Sequence, residues 1–422
     1  MEKTKTDTLS NGIRIATKNM PHMHSVAMGV WIATGGRYET RGNTGISHFI
    51  EHLLFKGTKK RSCKKISESI EGVGGLLNAY TSEEYTFYMA KVASRYFSLA
   101  LDILFDIYKN STFDPREIER ERGVIKEEIN MYHDMPDHHI LDLIKGLLWG
   151  SHPLGRSLIG TIQTVSGIRK KDFSDYMITN YVASNTVISV AGNIDHGIVV
   201  REVRKWAGNI GGGPSPIFEG YKKETSEKKY AIRDKKTEQA HLAIGFKGVE
   251  RSHKDRYAFN ILSVLLGGNM SSRLFQSIRE RHGLSYNIGS SVEYFKDTGA
   301  FVVSAGVDCA RLSKAIKLIL RELDRVRQKK VSKGELERAK EFYIGQFMLA
   351  MERTTSQMYR IGEGLVLLDR IISQQEVVNE VESVTLEDIQ RIAQRYFIEK
   401  EMKLAVIGPE KDENKIKKLM KF

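Results

Sequence analysis

The sequence predicts an α+β fold made of two homologous units. Three observations carry this: a Gly/Pro break near the middle of the chain, matching strand and helix segments on either side of it, and no regular β-α-β alternation within either side. At 422 residues the chain also exceeds one ordinary core, since roughly 100–200 residues per domain calls for two or more.

The break is Gly211-Gly212-Gly213-Pro214-Ser215-Pro216, which leads into the charged stretch Lys222 to Lys229. Gly and Pro at this density interrupt any periodic pattern, and the composition is that of an interdomain linker. Before it, Ser25-Val26-Ala27-Met28-Gly29-Val30-Trp31-Ile32 is an apolar strand-like run; after it, Ala240-His241-Leu242-Ala243-Ile244-Gly245-Phe246 is another. Phe113 to Arg120 and Val331 to Arg338 each open a charged helix from a capping signal. Thr186 to Gly192 and Met402 to Gly408 each close their half as a second apolar strand. A period of about 215 residues is too long for a solenoid and indicates a duplicated domain. The expected organisation is residues 1–210, a linker 211–229, and residues 230–422. Each domain is expected to be a mixed or antiparallel sheet with helices packed on one face, the two facing each other across a cavity.

Composition excludes several classes. Hydrophobic residues are 41%, charged residues 28% and prolines 7, the balance of an ordinary globular chain. No apolar run reaches the roughly 18–20 residues of a membrane span. The N-terminus runs into a turn at Asn11-Gly12 without an apolar or Arg/Ser-rich leader, so the expectation is a cytoplasmic protein. Cys63 and Cys309 are the only cysteines and form no C-x-x-C pair, which gives neither a disulfide framework nor a thiolate metal site. The net charge of +13 is spread out: residues 1–210 carry 27 Lys+Arg against 23 Asp+Glu, the rest 38 against 29, mostly in mixed-charge helices. With no aromatics interleaved in a basic stripe, a nucleic-acid partner is not expected.

The chemistry concentrates in His48-Phe49-Ile50-Glu51-His52. Helical periodicity puts His48 and His52 on one face, one turn apart, where two imidazoles can meet one Zn²⁺. Glu51 borders that face and could reach a water on the metal. This H-x-x-E-H order inverts the H-E-x-x-H zinc helix. On spacing alone a chance pair on a helix explains the pattern equally well, and a third ligand has to decide. The helix expected over Glu117–Met131 offers Glu119, Glu121, Glu127 and Glu128. Glu121 and Glu128 share a stripe two turns long, with Val124 and Ile125 between them read as core-facing. A carboxylate on such a stripe needs a partner, which a metal or a ligating histidine supplies. Glu117, Glu119 and Glu127 read as solvated. His133, His138, His139, His152 and His282 show no ligand partner at convincing spacing.

With these residues assembled, the chain resembles the pitrilysin/insulinase family of inverted-motif zinc metallopeptidases, in particular its bacterial mitochondrial-processing-peptidase-like members. The resemblance covers essentially the whole chain. It implies Glu128, 76 positions after His52, as third ligand of one Zn²⁺ per chain, Glu51 as general base, and Glu121 as a supporting carboxylate outside the ligand set. It further implies that Gly74 to Thr81 is an edge strand for the substrate backbone, with Asn78 and Ala79 in contact with it. In the second half, Arg279 and Tyr286, seven apart, match the family's pair that reaches the substrate and its scissile carbonyl. Ala339 and Gln346 fall opposite Glu121 and Glu128, and the helix opposite His48–His52 runs Phe259 to Val264, so only the first half holds a metal. The implied activity is a zinc endopeptidase acting on unfolded peptides or small polypeptides. With the motif and the Arg/Tyr pair in one chain, a homodimer is expected. The rival is a non-catalytic subunit or structural partner of a heterodimeric processing peptidase.

Overall fold

A computed structural model describes residues 4–222 and 228–422, so part of the charged stretch Lys222 to Lys229 lies outside the described residues. Two sheets organise the chain. The first contains β1 (Lys5–Thr8), β2 (Arg14–Asn19), β3 (Ser25–Ile32), β4 (Leu76–Thr81), β5 (Thr86–Ala93) and β6 (Thr186–Gly192), in the order β1-β2-β6-β3-β5-β4. It is mixed: β2 runs parallel to β6, and every other neighbouring pair is antiparallel. The second contains β7 (Tyr230–Asp234), β8 (Gln239–Gly248), β9 (Ser285–Tyr294), β10 (Gly299–Asp308) and β11 (Lys403–Gly408), in the order β7-β11-β8-β10-β9, with β7 parallel to β11. The α+β class and its duplication are therefore present in the fold.

Each sheet is covered on both faces, one layer more than the helices-on-one-face arrangement expected. Alternation along β3 shows why. Val26, Met28, Val30 and Ile32 pack with the helices Ile46–Leu54, Phe97–Asn110 and His196–Ala207, while Ala27 and Trp31 pack on the opposite side with Met358, Ile361 and Leu365. A strand buried on both sides needs cover on both. That second cover is the helix Thr354–Leu368, drawn from the far end of the chain. It sits close because of its glycine: a Cβ on Gly362 would lie 2.3 Å from the indole of Trp31.

The second sheet reciprocates with the helix Pro136–Trp149 from the first half. Its Ile140, Ile144 and Leu148 pack on Ala243, Ala300, Val302, Ala405 and Ile407. The compact units are accordingly discontinuous. One is Met1–Asn130, Arg156–Glu219 and Met348–Ile372; the other is Met131–Gly155, Gly220–Phe347 and Ser373–Phe422. Relative to contiguous halves 1–210 and 230–422, each unit has exchanged one helix with the other. No helix among the described residues is long and apolar enough to cross a membrane.

Candidate metal centre

The helix Ile46–Leu54 starts at Gly45, whose φ of +94° suits a residue without a side chain. Its first-turn amide groups are met by Glu39, which accepts hydrogen bonds from Gly45 N (2.8 Å) and Ser47 N (2.9 Å). Burial nevertheless pushes the Glu39 carboxyl up to about 7, against those two hydrogen bonds. One face of the helix buries Phe49, Ile50, Leu53 and Leu54. His48, Glu51 and His52 occupy the other, the imidazole centroids 4.7 Å apart.

The helix Pro115–Asp134 crosses this face. Its buried stripe is Ile118, Glu121, Arg122, Ile125 and Ile129. Val124, read from the sequence as core-facing, is 47% exposed: it lies off that stripe, beside solvent. Glu117 and Glu119 pair with Arg120 and Arg122 on the helix surface.

Glu128 brings Oε2 to 3.7 Å from both His48 Nε2 and His52 Nε2, and the three donor atoms lie within 4.8 Å of one another. Tetrahedral Zn²⁺ at its usual bond lengths sets ligand atoms about 3.4 Å apart, so this donor set fits that ion with small adjustment. It is the single such group among the described residues.

The surroundings prepare these donors. His52 Nδ1 donates to Glu121 Oε2 at 3.1 Å, which leaves Nε2 as the lone-pair atom on the donor side. Lys56 Nζ stands 2.8 Å from Glu121 Oε1 and neutralises that buried carboxylate. Burial opposes ionisation of Glu121, but the hydrogen bonds from His52 and Lys56 win and hold it below its ordinary pKa. His48 is driven down to about 3 by burial and then by His52, so its imidazole is neutral, the form that coordinates. Its Nδ1 is buried and forms no hydrogen bond among the described residues.

Glu51 accepts a short hydrogen bond from the hydroxyl of Thr81. Burial raises its carboxyl, with the Thr81 bond acting the other way. Thr81 ends β4, the strand of Asn78 and Ala79, which pairs with β5 alone and leaves its outer edge without a strand among the described residues. Asn78 is exposed and its Oδ1 accepts from Ala79 N.

Arg279 and Tyr286 belong to the other unit. Arg279 Nη1 donates to the Tyr286 carbonyl at 3.1 Å and its guanidinium lies 4.7 Å from the Tyr286 ring, which is 77% exposed. Sequence reading missed Thr81, Lys56 and Glu39 as contributors. Only Thr81 left a signal, at the end of the edge-strand segment.

The family description "Insulinase (Peptidase family M16)" matches residues 14–162, and "Peptidase M16 inactive domain" matches 167–343. A Bacillus subtilis protein is 40% identical over 402 residues, covering 95% of this chain and 97% of its own length. This chain belongs to the insulinase family of peptidases, M16. That Bacillus relative carries the name "uncharacterized zinc protease", as does one from Streptomyces coelicolor, 36% identical over 411 residues and covering 96% of this chain and 89% of the relative. Among solved structures, a protease from Helicobacter pylori superimposes with a TM-score of 0.90 at 22% identity, over 96% of this chain and 99% of that one. A Pseudomonas fluorescens structure described as a peptidase M16 inactive domain gives 0.89 at 16%, over 97% and 98%.

Proposed function

We propose that the chain is a zinc endopeptidase that hydrolyses unfolded peptides or small polypeptides, with His48, His52 and Glu128 as ligands and Glu51 as general base. The reading rests above all on the convergence of those three donor atoms, with Glu51 on the same helix face. Family membership and the names of the Bacillus and Streptomyces relatives support it. A bound Zn²⁺ supplies Lewis acidity, polarising the scissile carbonyl and acidifying a water.

The chain's own residues do the rest. Glu51 takes the proton of the attacking water and returns it to the leaving amine. The Thr81 hydroxyl holds one Glu51 oxygen, which leaves the other for the proton. Glu121 fixes the His52 ring and its tautomer. Asn78 and Ala79, on a strand whose outer edge pairs with no other strand among the described residues, hold an extended peptide by strand addition, which asks little of its sequence. Arg279 and Tyr286 supply a guanidinium and a phenol for peptide carbonyls and for the oxyanion that develops during attack.

The test is zinc content together with cleavage of a quenched peptide, with and without chelator. Glu51→Gln is expected to keep its zinc and lose about 10²–10⁴-fold in kcat, the usual worth of a positioned acid–base group. Wild-type cleavage by Glu51→Gln removes the base assignment, and chelator-insensitive cleavage removes the metal.

A further inference from the structure

The two sheets differ at one edge. In the first, β2 lies parallel to β6 and its outer side is covered by β1, antiparallel, from Lys5↔Thr17 to Thr8↔Arg14. In the second, β7 holds the corresponding place, parallel to β11, and no strand among the described residues covers its outer side. Farther upstream, Tyr221 is tied to other parts of this unit: its N donates to Asp297 and its ring lies 4.1 Å from Lys247 Nζ.

The register identifies the open groups. Leu404 N donates to Lys229 O and Lys235 N donates to Gly408 O, so the odd-numbered residues of this stretch face β11. Backbone groups of successive residues in a strand point to opposite sides. The N–H and C=O of Tyr230, Ile232 and Asp234 therefore point outward. Such an edge is a template for another strand unless something blocks it.

What lies beside that edge is basic. A groove of about 1380 Å³ runs along it, and seven of its fifteen lining residues are Lys or Arg. Among the described residues Lys229, Arg233, Lys400, Lys417, Lys418 and Lys421 form no salt bridge. The two acids of the groove are already engaged: Glu413 accepts from the Tyr230 hydroxyl and Glu399 from Phe422 N. Lysines also keep an edge from pairing with other copies of a basic chain, and the same charge selects an acidic visitor.

We propose that the outer edge of β7 binds an extended acidic polypeptide segment, which adds a strand where β1 adds one in the first sheet. Main-chain pairing to Tyr230, Ile232 and Asp234 gives the geometry, and the lysines of the groove give the preference for acidic side chains. This surface does not depend on the peptidase reading, because its residues hold no metal and perform no chemistry.

The test uses the full chain carrying Glu51→Gln, so that probes stay intact, and a fluorescein-labelled (Glu-Val)5 peptide followed by anisotropy. Comparison probes are (Lys-Val)5, (Glu-Pro)5, which has the same charge but cannot pair as a strand, and a single-stranded oligonucleotide. Saturable binding of (Glu-Val)5 is expected, weakened at least about tenfold, or 1.4 kcal/mol, by the exposed triple change Lys417→Glu, Lys418→Glu and Lys421→Glu. Amide exchange at Ile232 should slow when the peptide is bound. Ile232→Pro, which removes an outward N–H and leaves the β11 pairing intact, should abolish binding with the circular dichroism unchanged; the lysine variant decides the matter if that one misfolds. Equal binding of (Glu-Pro)5, tighter binding of the oligonucleotide, or no saturable binding of (Glu-Val)5 each overturns the proposal.

Discussion

The helix Ile46–Leu54 and its counterpart Arg256–Gly267 each lie against a long charged helix, yet the contacts between the pairs are of opposite kinds. In the first unit the contact is ionisable: His48, His52, Glu121, Glu128 and Lys56 within a few ångströms. In the second it is neutral: Asn260 Nδ2 donates to the Tyr343 hydroxyl at 3.0 Å, and Asn260 Oδ1 accepts from the Tyr294 hydroxyl at 2.8 Å. Neutral partners satisfy each other, so that contact is complete as it stands. The ionisable set converges three lone-pair donors on one point and gains from a cation there. Duplication supplied one scaffold twice, and a few side chains decide whether it presents a set of metal-ligand atoms.

Making the first copy more like the second is the sharpest way to break this comparison. Glu128→Gln installs the residue found opposite it, Gln346, and replaces an anionic ligand by a neutral amide. Its zinc affinity and peptide hydrolysis are expected to fall by more than about 100-fold, beyond the 10–100-fold typical of outer-shell partners. Metal analysis after dialysis against a graded chelator reads the affinity, and circular dichroism verifies the fold. Full zinc and full rate would show that Glu128 is no ligand.

Glu121→Ala copies Ala339 in the same way and acts one step further out. It removes the acceptor of the His52 Nδ1 proton and the partner of Lys56, whose side chain is 28% exposed and can turn to water. A loss of about 10–100-fold in zinc affinity is expected. Glu121→Gln, which keeps an acceptor for His52, should lose less. Equal losses would mean that charge, and not ring orientation, is what Glu121 contributes.

The parts of this site that were legible in the sequence are those carried by local spacing. His48, Glu51 and His52 sit within one helical turn, so periodicity alone puts them on a face. Glu128 is 76 positions away, and only the family resemblance chose it among four acids. Thr81 was hidden because its bond to Glu51 depends on how β4 meets the helix, which no local pattern encodes. The fold divides likewise. The Gly211–Pro216 break and the repeated strands marked the duplication, because each half repeats the same alternation. The exchange of Pro136–Trp149 and Thr354–Leu368 left no mark, since an apolar helical stripe states that it will be buried and not against which sheet. Val124 was misread for a related reason: being apolar between two stripe residues does not fix which side of the stripe it takes.

Both units pair their buried charges, as Asp255 with Arg391 and Glu322 with Arg325 in the second, but one buried lysine of the second unit departs from this, and the smallest expected effect tests it. In the first, Glu84 meets Arg37 at 2.7 Å and Glu121 meets Lys56. In the second, Lys247 Nζ is buried without a hydrogen-bond partner, against Trp149 and Tyr221. Burial, then the nearby Lys403 charge, lowers its pKa from 10.5 to about 6. The sign follows from proton counts. Between pH 6 and 10.5 the unfolded chain holds the proton and the folded one does not, so this residue's penalty is largest below pH 6 and fades as pH rises. Lys247→Met should therefore stabilise the second unit by about 1–3 kcal/mol near neutrality, the cost of an unpartnered buried polar group. The gain should shrink steadily in urea titrations at pH 6, 8 and 10. Zinc content should not move, because the three proposed ligands all lie in the other unit. A gain independent of pH would mean that packing, not charge burial, is what the methionine improves; a loss would mean that the packing of the lysine side chain against the Trp149 and Tyr221 rings outweighs the cost of burying its amine.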